Sequence, residues 1–170
     1  SRLGMALGRF HNIHAKKGEF IIDNERGKVN KYCLELKSCM SESLERRIRK
    51  ATDRIFDHKN LVTFVFCLKG IDLRNVLIND EKDLFFLDPG GLKDSCFEAD
   101  LARFIMTYRI LYWGSKLFFL RLTPSKNAEN AFYKAYYETT NQSPSVLQQF
   151  YLIKEQLKHW HTAVISLKLL

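Results

Sequence analysis

Residues 70–91 read GIDLRNVLINDEKDLFFLDPGG. Two runs of strand-forming residues, VLIND and LFFLD, share the polar stretch NDEKD between them, the pattern of an antiparallel hairpin with a polar turn. Asn75 opens the first strand and Asp88 lies just past the end of the second, so pairing the strands sets their outer ends side by side. An amide oxygen and a carboxylate converging on one spot form a hard-oxygen pair suited to Mg²⁺ carrying substrate phosphates. The DPGG loop after the second strand lets backbone approach a ligand without steric cost.

Outside this stretch the charge changes sign. Residues 1–60 carry 14 basic and 8 acidic side chains, residues 61–110 carry 6 and 8, and residues 111–170 carry 7 and 3. The centre is therefore acidic inside a basic frame, within a formal net charge of +8. A nucleic-acid binder concentrates positive charge where it works, whereas a metal-nucleotide site puts carboxylates at the cation and bases around the phosphates. No specific nucleic-acid partner is expected on this ground. The basic run RRIRK (residues 46–50) lacks interleaved aromatics and reads first as a solvated helix face; an RNA-binding helical domain is the least favoured reading. Peripheral contact with an acidic membrane surface stays open.

At 170 residues, 46% hydrophobic and 13% aromatic, the chain is long and apolar enough for one packed domain. No apolar run is long enough for a membrane span, and SRLGMALGRF at the start has no signal-peptide core. The missing initiator Met fits a fragment or a processed chain. Cys33, Cys39, Cys67 and Cys96 show no close pairs, so neither a zinc site nor a disulfide framework is expected, and reduced thiols in a cytoplasmic protein are.

Apolar spacing predicts a first helix over SRLGMALGRFHNIHAKK, carrying Leu3, Leu7, Phe10 and Ile13 and ending before Gly18. NERGK reads as a turn, and residues 31–56 as one long helix with Leu36, Met40, Leu44, Ile48 and Ile55 near one stripe. LVTFVFCL reads as a strand, PGGLKDS as a loop, and residues 97–122 as a helix. SKNAENAFYKAYYETT reads as a helix capped by Ser125 or Asn127, and the last helix starts at Pro144 behind a Ser143 cap. The expected fold class is α+β, mostly α: helices around a small β-hairpin insertion at the polar centre.

The ordered segments resemble a known family. LKGIDLRNVLI followed by LFFLDPGG is similar to the catalytic segment of the aminoglycoside phosphotransferase and choline kinase group, which shares the protein kinase-like fold. That segment runs H-G-D-x-x-x-x-N-[VI]-L-[VI] and then a strand ending I-D-[FWP]-[GE]. EADLARF resembles the group's D-L-A-[RK]-[FL], LGRFHNIH its L-G-x-[LF]-H, and ENAFYKAYYE its F-x-x-G-Y helix, with Ala135 where Gly is usual.

The resemblance implies that residues 1–170 are a single C-terminal lobe, with the N-terminal lobe and its glycine-rich loop absent from this chain. It implies a kinase-type phosphotransferase using ATP and Mg²⁺, with a nucleotide and a small-molecule or saccharide acceptor as partners. Asn75 and Asp88 would be the metal and nucleotide ligands, and Asp100 would brace the catalytic loop. The family's catalytic Asp falls five residues before Asn75, where this chain has Gly70, and Leu68 and Lys69 replace the preceding H-G. Asp72, three residues before Asn75, is the candidate base in its stead. The alternative is a pseudokinase-like domain that keeps the fold for binding but not the chemistry. His11, His14, His159, His161 and the series Phe132, Tyr133, Tyr136 and Tyr137 read as packing or surface residues.

Overall fold

The structure is a computed structural model and describes residues 1–20, 22–56, 61–69, 71–87, 90–113, 120 and 123–168. In chain order the elements are α1 (Arg2–Asn12), β1 (Lys16–Glu19), α2 (Ile22–Glu35), α3 (Glu42–Phe56), β2 (Leu61–Leu68), a 3-10 turn (Leu73–Asn75), β3 (Val76–Ile78), β4 (Leu84–Phe86), β5 (Leu92–Cys96), α4 (Phe97–Trp113), α5 (Lys126–Thr140) and α6 (Val146–Lys168). The architecture is α+β and mostly helical, with two small antiparallel sheets. None of the described helices is long and apolar enough to cross a membrane.

The expected hairpin is present. β3 pairs with β4 in the register Val76↔Phe86, Leu77↔Phe85 and Ile78↔Leu84. Its turn is closed by the Asn79 side chain, whose Oδ1 accepts the Asp83 N–H at 2.7 Å, and Lys82 takes the left-handed conformation at φ 67°.

A second sheet is new relative to the sequence reading. β2 is its central strand, flanked antiparallel by β1 and β5. β1 falls where the first helix was expected to run out, and β5 where PGGLKDS reads as a loop. Neither KKGE nor LKDSC has a strong strand composition of its own, so β2, with its run of β-branched and aromatic residues, sets both pairings. Strand alternation then divides the interior. Val62 and Phe64 point to a core built with Val29, Cys33, Leu36, Phe150 and Tyr151. Val65 and Cys67 point to a second core with Leu7, Leu101, Phe104, Phe132 and Tyr136.

The single helix expected over residues 31–56 is two helices, and NERGK lies inside α2 rather than forming a turn. The Ser41 hydroxyl accepts the Leu44 N–H at 3.3 Å and the Ser41 carbonyl the Glu45 N–H, which starts α3 afresh. The apolar stripe misled because it continues across the break: Leu36, Met40 and Ile55 are all buried. Ser125 caps α5 as expected, accepting the Ala128 N–H, but α6 begins at Val146, so Ser145 precedes it rather than Ser143. Ile13 is also misread as apolar stripe, since it is 76% exposed. The continuation of α4 expected through residue 122 lies outside the described residues for 114–119 and 121–122.

Helix α1 packs against α5 through its small residues. A Cβ built at Gly4 would stand 2.3 Å from the Phe132 carbonyl oxygen and 3.1 Å from the Tyr136 nitrogen. Gly4→Ala should gain about 1 kcal/mol of helix propensity and lose more to the clash, because the obstacle is backbone of a packed helix. We expect a net loss of about 1–3 kcal/mol in chemical denaturation. A Gly4→Ala protein as stable as the wild type would contradict this packing.

Glu98 gives a pH prediction. It is 2% exposed; Oε1 accepts the Ser145 hydroxyl at 2.6 Å and Oε2 has no partner among the described residues. Burial raises its pKa above the ordinary carboxylate value, and the Ser145 hydrogen bond only partly opposes this. A raised folded pKa means that its contribution to stability is fully present below the unfolded pKa and lost as pH rises through the folded one. The melting-temperature difference between Glu98→Gln and wild type should therefore grow in favour of the variant from acid to neutral pH. A difference that stays constant with pH would show that Glu98 is not desolvated.

Candidate functional site

Strand β2 ends at Leu68, and the chain then turns through residues 69–75 into the hairpin. The turn is tied down at both ends. Lys69 N–H donates to the Gly91 carbonyl at 3.0 Å, Ile71 N–H to Leu68 at 3.1 Å, and Leu73 N–H to the Thr107 hydroxyl at 3.2 Å. Glycines 90 and 91, at φ 62° and 84°, supply the left-handed backbone on the facing segment that an L side chain rarely adopts.

The deepest anchor is Asp100. From the first turn of α4, its Oδ2 accepts the Leu68 N–H at 2.8 Å and meets His11 Nε2 at 3.2 Å. On the other side of the ring, His11 Nδ1 lies 2.7 Å from the Tyr136 hydroxyl. A carboxylate only accepts, so His11 donates to Asp100 from Nε2, while Nδ1 shares a hydrogen bond with the Tyr136 hydroxyl. His11 is 1%, Asp100 3% and Tyr136 0% exposed. The expectation of a loop-bracing Asp100 matches this geometry, and His11 is structural, as its reading favoured.

Cys67 Sγ joins His11 and Asp100 in a cluster whose ligand-type atoms lie within 4.8 Å of one another. Both His11 nitrogens and Asp100 Oδ2 are already engaged, and Cys67 donates to the Cys96 carbonyl. Burial pushes the Cys67 thiol far above its ordinary pKa, so it holds its proton. The cluster is a hydrogen-bonded hub.

Asp72 caps the 3-10 turn. Its Oδ1 accepts both the Arg74 N–H at 2.9 Å and Arg74 Nε at 3.0 Å, and its Oδ2 accepts Arg74 Nη2 at 2.7 Å. The Arg74 guanidinium holds the Asp72 carboxyl below the usual carboxylate range, with Arg103 adding in the same direction. Asp72 is thus ionised at neutral pH and weakly basic. Arg74 is exposed to solvent while it clasps the carboxylate.

Asn75 is half-buried at the mouth of the hairpin, and its carbonyl accepts the Leu87 N–H at 2.7 Å. The residue before Asp88 is therefore bonded to Asn75. Asp88 itself, like Gly70 and Pro89, lies outside the described residues. The Asn75 amide oxygen is a donor of the type a hard divalent cation takes.

Packing accounts for the aromatic series on α5. Phe132 and Tyr136 are buried, with Tyr133 and Tyr137 packed at the same core. His161 pairs with Glu35 at 2.7 Å, His14 stacks on Phe66, and the arginines of RRIRK stand exposed on α3. Sequence reading missed Lys93, and missed that it shares a depression with Lys69 and with Arg103 of EADLARF beside the anchored loop. No protein-family model matches the chain, and no curated protein matches it.

Proposed function

We propose that the protein is a phosphotransferase that moves the γ-phosphoryl group of ATP to a hydroxyl of a small molecule or saccharide. One observation carries this reading. The four segments that resemble the family, lying far apart in sequence, meet at one buried point: His11, Leu68, Asp100 and Tyr136 form a continuous hydrogen-bonded set. That convergence supports a common loop-bracing role for segments otherwise matched only by order.

In this reading Asn75 and Asp88 hold Mg²⁺, which when bound neutralises charge on the nucleotide phosphates. Asp72 accepts a hydrogen bond from the acceptor hydroxyl and takes its proton. The new bond joins that oxygen to the γ-phosphorus as the bond to the β,γ-bridging oxygen breaks, releasing ADP. Catalysis of this kind is chiefly positioning, so a weakly basic Asp72 suffices. The anchors on Leu68, Ile71 and Leu73 hold it in place.

A second reading, a binding domain that has lost turnover, draws on Arg74, which occupies both oxygens of Asp72. ADP release from ATP and Mg²⁺, measured on the full-length protein with hexoses, hexose phosphates, amino sugars and choline as acceptors, separates the two. Turnover that vanishes in a folded Asp88→Ala variant supports the phosphotransferase; no turnover in the wild type supports the binding domain. Arg74→Ala adds a pH readout. Removing the group that lowers the Asp72 pKa should move the acid limb of kcat/KM to higher pH. An unmoved limb, or full activity in Asp72→Asn, would remove Asp72 from the base role.

A further inference from the structure

Beside the anchored loop lies a depression of about 160 Å³, into which β2, β5, α2, α4 and α6 all contribute side chains. It is smaller than the roughly 300–1,000 Å³ that encloses a whole small-molecule ligand, so it has room for a single functional group. Five cationic side chains and three carboxylates line it. The carboxylates are committed elsewhere. Glu25 pairs with Lys28 and Lys154, each at 2.5 Å. Asp100 holds Leu68 and His11, and Glu155 faces Lys158 and His159.

Three cations are left over: Lys69, Lys93 and Arg103. None of them has an ion pair with a carboxylate among the described residues. They arrive from different directions. Lys69 follows the end of β2, and Lys93 on β5 stands opposite Cys67 in the strand register. Arg103 follows Asp100 by three residues on α4, on the same helix face. Arg103 also lies close enough to act electrostatically on Asp72. Through Arg103 the depression is linked electrostatically to the candidate base.

We propose that Lys69, Lys93 and Arg103 bind an anionic group, a phosphate or carboxylate, carried by the acceptor, so that the molecule phosphorylated is itself acidic. This rests on the phosphotransferase reading for the word acceptor, while anion binding at the depression stands independently of it. Guanidinium and ammonium donors from three elements suit an oxyanion, the guanidinium by its fork of N–H groups and the ammoniums as point charges. A polycationic acceptor such as an amino sugar would be repelled from the same position.

The test is an amide NMR titration of the full-length protein with inorganic phosphate, with a hexose 6-phosphate and with the unphosphorylated hexose. Phosphate and the hexose phosphate should shift the signals of Cys67–Lys69, Lys93 and Arg103, and the plain hexose should not. In Lys69→Gln/Lys93→Gln, two exposed positions whose replacement spares the fold, affinity should fall about tenfold or more. Phosphate binding that persists under saturating Mg²⁺-ATP supports an acceptor subsite. Displacement by ATP would overturn it by making the depression part of the nucleotide site, and shifts absent from these residues, or affinity unchanged in the double variant, would overturn anion binding itself. Mg²⁺-ATP perturbation near Asn75, read in the same samples, reports separately on the phosphotransferase reading.

Discussion

Asp100→Leu should destabilise the protein by about 3 kcal/mol or more and release the loop that carries Asp72 and Asn75. The carboxylate is buried and serves two donors at once, the Leu68 N–H and His11 Nε2. Leucine of similar size fills the space but leaves both donors buried without a partner, each costing about 1–3 kcal/mol. His11 would then keep only its bond to the Tyr136 hydroxyl. Asp100→Asn is the informative companion. Its amide oxygen can occupy the Oδ2 position and accept both bonds, so we expect a smaller loss, with the signals of residues 68–75 unmoved. Equal stability of Asp100→Leu and wild type in urea denaturation would mean that the His11–Asp100–Leu68 set is not formed.

The second large effect is on turnover. Asn75→Ala should reduce kcat/KM by about 10²–10³-fold, the scale expected when one preorganised electrostatic contact is lost from a transition state. Asp88→Ala should do at least as much. Neither change should unfold the protein. Asn75 holds Leu87 through its backbone carbonyl, and Val76 pairs with Phe86 in the strand register, contacts that survive truncation of the Asn75 side chain. Retained melting temperature together with lost activity is therefore the expected signature. Loss of both would reassign Asn75 to structure, and unchanged activity would remove it from the site.

How much of this could be read from sequence follows from which interactions are local. The hairpin was legible because its strand formers, its polar turn and its two ends lie within one short stretch. The Ser125 cap was legible for the same reason. β1 and β5 were not, because KKGE and LKDSC become strands only through the hydrogen bonds that β2 offers them. The break at Ser41 was hidden by an apolar stripe that both helices share, since Leu36 and Ile55 reach one core from different helices.

The same distinction applies to the site. Asp72, Asn75 and Asp88 stood out by their spacing, and Asp100 by its place in EADLARF. That Asp72 is clasped by Arg74 could not be read, because the residue before Asn75 need not turn back on the one two positions earlier. That Lys69, Lys93 and Arg103 share one depression carried no signal: Arg103 stood only as a motif position in EADLARF and Lys69 only as a departure from the family pattern. They are ordinary surface-type residues in three separate segments, and only the packing of α4 against β2 and the pairing of β5 with it bring them together.

The phosphotransferase reading requires a divalent cation with nucleotide at the open end of the β3–β4 hairpin. Mn²⁺ added with ATP to the full-length protein tests it most directly, because the paramagnetic ion broadens the NMR signals of nearby amides. Selective broadening of Asn75, Val76, Phe86 and Leu87, lost in Asp88→Ala, is the expected result. Broadening absent from these four amides, or centred on exposed carboxylates elsewhere and indifferent to Asp88→Ala, would contradict it.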